Sequence, residues 1–201
     1  MSPKVSQEYK KRIRNSILEA AENQFSKQGY YETSMDDIVN ASGLSKGAIY
    51  GYFDSKESLF LAIQEKQSIL GLQNLEALLS NERSSRSKLE KAASIVFGTM
   101  CEVSEESCRM DLEFQVASSR LRKIRNRLKN QYMTIVNFIA NIIREGIQNS
   151  EFRPEIDPDL AATILVSSIN GLSTLNVTTG VKLDWEKIKR TYIDIAMNGL
   201  V

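Results

Sequence analysis

The chain has 201 residues, 42% hydrophobic and 25% charged, with 26 Lys and Arg against 25 Asp and Glu and a formal net charge of +1. It contains no histidine, which removes Ser-His-Asp triads, Cys-His dyads and His-ligated zinc. It also has no Gly-rich phosphate loop and no window reaching the ~18 apolar residues of a membrane span. What remains is the profile of a soluble globular protein, of one large domain or two small ones. The three prolines, Pro3, Pro154 and Pro158, leave long uninterrupted stretches that suit an all-α fold. No metal and no cofactor is expected, and nothing argues for an enzyme. The N-terminus lacks the apolar core of a signal peptide, so a cytoplasmic location is expected. Cys101 and Cys108 lie outside any Cys-x-x-Cys pattern and read as two thiols in a reducing compartment.

The first element is a helix over residues 8–28. Ile13, Ile17, Leu18, Ala21 and Phe25 recur at three- and four-residue steps, and Gly29 stops it. Residues 1–14 carry Lys4, Lys10, Lys11, Arg12 and Arg14 against Glu8 alone, a basic arm suited to phosphate or simply to solvent. Residues 33–53, TSMDDIVNASGLSKGAIYGYF, read as a helix-turn-helix. Thr33 or Ser34 can cap the first helix, with Asp36 or Asp37 following, and Met35, Ile38 and Val39 give it one apolar face. Gly43 suits a left-handed turn, and Ser45 caps a short second helix through Lys46, Gly47, Ala48, Ile49 and Tyr50. Gly47 and Ala48 carry almost no side chain, which suits a helix whose backbone is pressed against DNA. Lys46 can meet a phosphate, and Tyr50 and Tyr52 offer hydroxyls on stiff rings. The first helix and these two can close a small core centred on Phe25, Ile38, Val39, Ile49 and Phe53, too small to be very stable alone.

A long helix over residues 55–79 follows, capped by Ser55, with Leu59, Phe60, Ile63, Ile69 and Leu70 along it. With that stretch in view, residues 13–60 closely resemble the N-terminal domain of the TetR family of transcriptional repressors. The resemblance is ungapped through Ile17-Leu18-Glu19-Ala20-Ala21, Phe25, Gly29-Tyr30, Thr33-Ser34-Met35, Ile38, the run from Ala41 to Tyr50, Tyr52-Phe53 and the run from Ser55 to Phe60. It implies phosphate contacts by Thr33, Ser34, Tyr50, Tyr52 and Lys56. Lys46, Gly47 and Ala48 would then lie closest to base edges, on a helix capped by Ser45. It also implies a division into a helix-turn-helix DNA-binding domain, 1–54, and a helical ligand-binding and dimerisation domain, 55–201. Residues 55–79 would be the connecting helix between them.

Beyond residue 60 the resemblance is to general layout only. Residues 80–87 read as a polar linker. Helices are expected to Val103 (Leu89, Ala92, Ala93, Val96, Phe97, Met100), then through Met110, Leu112, Phe114, Val116 and Ala117. A further long helix reaches Asn149, with Leu121, Ile124, Leu128, Ile135, Ile139 and Ile142 as its apolar stripe. It opens on six basic residues and no acidic one between Arg120 and Lys129, a solvated face or one that draws an anion. Asp157-Pro158-Asp159 starts a helix to Thr179 that is apolar nearly all round and must be buried on several sides. Gly171 in it would let another helix come close. Asp184 caps the last helix, Trp185 to Leu200. These two helices resemble the family's dimer-forming pair, which builds a four-helix bundle with its mate.

The functional expectation is a homodimeric, ligand-responsive repressor on a double-stranded palindromic DNA operator, released by a small-molecule inducer. Phe97, Cys101, Phe114, Tyr132 and Val136 are candidates to line its ligand cavity, with Asn170 and Thr174 as polar contacts. The basic run at 120–129 would favour an anion with an apolar body, such as an acyl thioester. The rival readings are a helix-turn-helix activator or architectural binder without inducer, and a helical interaction module that binds no DNA. No membrane partner is expected.

Overall fold

The computed structural model describes residues 6–102, 105–119 and 122–201, without the side chains of 101–102, 105–106, 117–118 and 122–124. Lys4, the Cys101 side chain and the side chains of 120–124 in the basic run therefore lie outside the described residues. Those described form helices and connections with no strand: α1 (Gln7–Gln28), α2 (Met35–Ser42), α3 (Lys46–Tyr50), α4 (Lys56–Leu79), α5 (Ser85–Glu102), α6 (Glu105–Ser118), α7 (Arg122–Gln148), α8 (Pro158–Thr179) and α9 (Trp185–Leu200). The all-α expectation holds. The chain divides into two compact units, Met1–Ser68 with Arg109–Arg127, and Ile69–Cys108 with Leu128–Val201.

In the first unit, local chemistry sets the helix ends. Ser6 caps α1 by accepting from Tyr9 N–H at 3.1 Å, and the Gly29 N–H closes the other end on the Phe25 carbonyl at 2.9 Å. Ile17, Leu18, Ala21 and Phe25 form the buried stripe of α1, and Ile38 of α2, Ile49 of α3 and Phe53 are buried as well. Val39 is only half-buried. The expected weakness of this small core is met by two further elements. α4 adds Leu59 and Phe60, and α6 adds Phe114, whose ring centroid lies 4.1 Å from that of Phe60 and 5.2 Å from that of Tyr30. Phe25 meets Phe60 edge-on at 5.2 Å, so four aromatic rings form one cluster.

In the second unit, only residues 80–84 separate α4 from α5, a shorter connection than the sequence suggests. The reason is a cap from far along the chain: the Glu151 carboxylate accepts from the Ser85 and Arg86 N–H groups at 3.1 Å each. A carboxylate there satisfies orphan donors and faces the positive end of the helix dipole. The core gathers Leu79, Leu89, Ala92, Val136, Ala140, Ile143, Phe152, Ala162, Met197 and Leu200. Gly146 lets the chain turn back after α7. A Cβ there would run into the Phe152 ring, which occupies the space that a side chain would need. Asp157 caps α8 through the Asp159 and Leu160 N–H groups at 2.9 and 3.0 Å, with Pro158 in the first turn as expected.

α8 departs from expectation in its surroundings. Contrary to the reading of the sequence, its length and its mean hydropathy of 1.4 over an 18-residue window meet the minimum for a membrane span by length and composition, yet only 6% of that window is buried. Leu160 is 63% exposed and Ile164 67%, and Ile195 of α9 is 67% exposed. The apolar sides of α8 are thus not covered within one chain.

Candidate DNA interface and ligand cavity

The helix-turn-helix is built from caps and one glycine. Ser34 accepts from Asp37 N–H at 3.1 Å while Ser34 N–H donates to the Asp37 carboxylate at 2.8 Å, a reciprocal cap on α2. The Ser34 hydroxyl and N–H hold the Asp37 carboxyl below the usual range. Gly43 takes φ +67° and ψ 11°, the left-handed conformation that ends α2 without steric cost. Ser45 then caps α3 through Ala48 N–H at 3.2 Å. Ile49 is fully buried and anchors α3, while Lys46 and Gly47 are exposed. A Cβ on Gly47 would meet nothing within 4 Å, so the protein's own packing does not require glycine there. Tyr50 and Tyr52 are 44% and 36% exposed. Lys46 is already engaged: its ammonium lies 2.7 Å from Asp36, and that hydrogen bond raises its pKa.

Two expected phosphate contacts are placed differently. Thr33 is buried, and its hydroxyl donates to the Gly29 carbonyl at 2.7 Å and the Gln24 carbonyl at 3.3 Å. Lys56 donates to the Tyr30 and Tyr31 carbonyls at 2.7 and 3.1 Å and sits 4.6 Å from the Tyr30 ring centroid. Burial, opposed by neighbouring Glu57, Glu32 and Glu113, lowers its pKa. The cause lies in the turn between α1 and α2. Backbone carbonyls leaving a helix need donors, and Gly29, Tyr30 and Tyr31 receive theirs from these two side chains. Spacing alone does not reveal that demand. Ser34, Ser45, Lys46, Gly47, Tyr50 and Tyr52 stay at the exposed surface, and Ala48 is half-exposed.

The second unit holds a cavity of about 240 Å³ walled by α4, α5, α7, α8 and α9. Of the expected ligand residues, Tyr132 and Asn170 line it. Phe97 does not, but its ring meets that of Tyr192, a wall residue, edge-on at 5.0 Å. Val136 is fully buried in the core and Thr174 is exposed, neither in the wall. Phe114 lies elsewhere, in the aromatic cluster of the first unit, because Arg109–Arg127 belongs to that unit. The wall also uses Leu75, Val96, Met100, Ile139, Leu165 and Tyr192, which the candidate set missed. Periodicity marks Ile139 as inward-facing, but it does not say whether an inward residue meets a neighbour or a void. Burial pushes the Tyr192 phenol up to about 12, and its hydroxyl donates to the Leu165 carbonyl at 3.0 Å. No described residue of 120–129 is in the wall; the charged residue that is there, Glu90, is bonded to Arg86 Nε at 2.9 Å. The expected attraction of an anion by the basic run therefore finds no support in this cavity.

Comparison with known proteins covers both parts of the chain. Residues 17–63 match the family described as bacterial regulatory proteins, tetR family, and residues 94–189 match the tetracyclin repressor-like C-terminal domain. An uncharacterised HTH-type transcriptional regulator of Bacillus subtilis, YfiR, is 31% identical over 77% of this chain and 75% of its own length. Two solved structures share the fold. One is the transcriptional regulator FadR of Bacillus subtilis in complex with stearoyl-CoA: TM-score 0.76, 20% identity, covering 93% of this chain and 99% of that one. The other is a putative transcriptional regulator of Saccharomonospora viridis in complex with choline: TM-score 0.78, 23% identity, covering 95% and 98%. Helix-turn-helix, helical C-terminal unit and relatives lead to one conclusion: the chain belongs to the TetR family of DNA-binding transcriptional regulators.

Proposed function

We propose that the protein is a repressor that binds a palindromic operator as a homodimer and is released when a small molecule enters the α4–α9 cavity. Residues 1–54 read DNA, and residues 55–201 bind ligand and dimerise. Lys46, Gly47 and Ala48 of α3 approach base edges, while Ser34, Ser45, Tyr50 and Tyr52 lie toward phosphates. The partner subunit covers the exposed apolar faces of α8 and α9. Gly171, where a Cβ would meet nothing within 4 Å in this chain, suits a close crossing between the two copies. Work on DNA places the protein in the cytoplasm.

The observation that carries the regulatory part is the course of α4. Lys56 at its start holds the carbonyls of the α1–α2 turn, and Leu75 in its last turns stands in the cavity wall. One helix thus has an end in each job. A ligand shifts the protein from its DNA-binding form only by binding another form more tightly, and a ligand that displaces Leu75 moves the helix that Lys56 ties to the reader. The cavity also argues against a binder without inducer. A mobility-shift titration with DNA from upstream of the protein's own gene tests the reading. A saturable complex that survives excess random DNA is expected; its absence at micromolar protein overturns the proposal.

A further inference from the structure

The chemistry of the cavity wall narrows what it accepts, given the reading of this cavity as the inducer site. An apolar cavity of about 150 Å³ is enough to hold benzene; this one, at about 240 Å³, takes a somewhat larger compact body. Its wall is aliphatic and aromatic apart from a few groups, and most of those are already satisfied. The Tyr132 hydroxyl is bonded to the Ser167 hydroxyl at 2.5 Å, and the Tyr192 hydroxyl to the Leu165 carbonyl at 3.0 Å. Glu90 is held by Arg86. Asn170 alone among these makes no hydrogen bond within the described residues, and its amide can both donate and accept.

Charge decides the rest. An ionised group moved out of water needs a counter-charge and hydrogen bonds, or its burial is strongly unfavourable. Among the described residues, a buried carboxylate or phosphate finds no Lys or Arg in this wall and meets the negative Glu90. A buried ammonium must compete with Arg86 for Glu90. We infer that the inducer is a small uncharged molecule, an apolar body carrying one hydroxyl, carbonyl or amide group that bonds to the Asn170 side chain.

Three probes of equal chain length separate the possibilities: 1-octanol, octanoate and octylammonium, titrated into the full-length protein at neutral pH by calorimetry. Release of operator DNA is followed by fluorescence anisotropy. Octanol is expected to bind about tenfold or more tightly than either ion. Asn170→Leu should weaken octanol by about five- to tenfold, since it removes the one polar side chain of the described wall that makes no hydrogen bond of its own. Octanoate or octylammonium binding as tightly as octanol overturns the uncharged class while leaving the cavity as the inducer site. Undiminished octanol binding by Asn170→Leu overturns the role of that amide. Val166→Trp fills the cavity and should abolish binding. If octanol binds that variant as it binds the wild type, or if no probe binds the wild type, the cavity is not the inducer site and the inference falls with it.

Discussion

The two units treat their apolar side chains in opposite ways. In the first, Ile17, Leu18, Phe25, Ile38 and Ile49 are all buried within one chain, and α4 and α6 complete the core with Phe60 and Phe114. In the second, α8 is the most apolar of the long helices, yet Leu160 and Ile164 lie open and a cavity remains between α8 and its neighbours. A unit that presents a fixed surface to a rigid duplex has to be finished before it binds. A unit that, as proposed above, accepts a ligand and a second subunit would keep apolar surface in reserve. Large exposed apolar patches mark such interaction surfaces, and the contrast separates residues that stabilise the fold from residues whose partners come later.

The sharpest way to break the contrast is to fill the reserved surface. Gly171→Leu adds bulk where this chain has open space, so it should leave the folded protomer intact and overpack only the proposed dimer. Overpacking of about one to three kcal/mol, counted in each of two subunits, weakens dimerisation by roughly a hundredfold or more. Sedimentation should show monomer at micromolar concentration, with operator affinity falling alongside; an intact dimer would remove α8 from the interface. The complementary change is Phe114→Ala, in the finished core. It should cost about 3–5 kcal/mol by leaving a hole between Tyr30 and Phe60. Denaturant unfolding measures it, and a loss below about 1 kcal/mol would mean that α6 is not needed by the reading unit.

The finished core also contains one group that fits it poorly. Asp111 of α6 accepts from Gln64 Nε2 at 2.6 Å, but burial pushes its carboxyl up from 3.8 to about 6. A raised pKa in the folded state means that the stabilisation is complete below about pH 4 and is lost as the pH rises through 6. Asp111→Asn keeps an acceptor for Gln64 and removes the titration. Relative to wild type, it should gain stability across that window, by on the order of 2 kcal/mol. Parallel unfolding curves at pH 4 and pH 7 with the same wild-type-to-variant difference would contradict this.

Smaller effects sharpen the boundary between reading and holding. Ser34→Ala removes the cap of α2 and should cost about 1 kcal/mol of stability, visible as a lowered denaturation midpoint. Lys56→Gln separates two roles by a readout that simple loss of affinity cannot supply. If Lys56 meets a phosphate, its removal should reduce the salt dependence of operator binding by about one unit. If Lys56 is a latch on the turn, its removal should weaken binding with the slope unchanged. The bonds from Lys56 to Tyr30 and Tyr31 lead us to expect the second, and a slope reduced by about one unit would return Lys56 to the phosphates.

Much of the reading unit was legible in the chain because its signals are local. Ser34 with Asp37, Gly43 and Ser45 each act within three residues, so the turn and both helix starts follow from sequence order alone. The same locality places α8 and α9 to within two residues, through Asp157-Pro158 and Asp184. The candidate cavity was legible only in part. Tyr132 and Asn170 reach the wall, whereas Phe114 was assigned to it on apolar character that serves the other unit. Hydrophobic periodicity states that a side chain faces inward, not which inward surface it meets.

Sequence by itself determined the helical class, the helix-turn-helix with its exposed Lys46, Tyr50 and Tyr52, and the apolar excess of α8. These depend on backbone preferences, caps and composition, which operate over a few residues. Tertiary structure alone decided that Thr33 and Lys56 serve the carbonyls of the α1–α2 turn, that Glu151 caps α5 from 65 and 66 residues away, that Phe114 completes the first core, and that a cavity with Asn170 in its wall lies among the helices of the second. Each of these joins groups distant in sequence. Which partner a donor, a ring or an empty volume finds is settled only when the whole chain has been brought together.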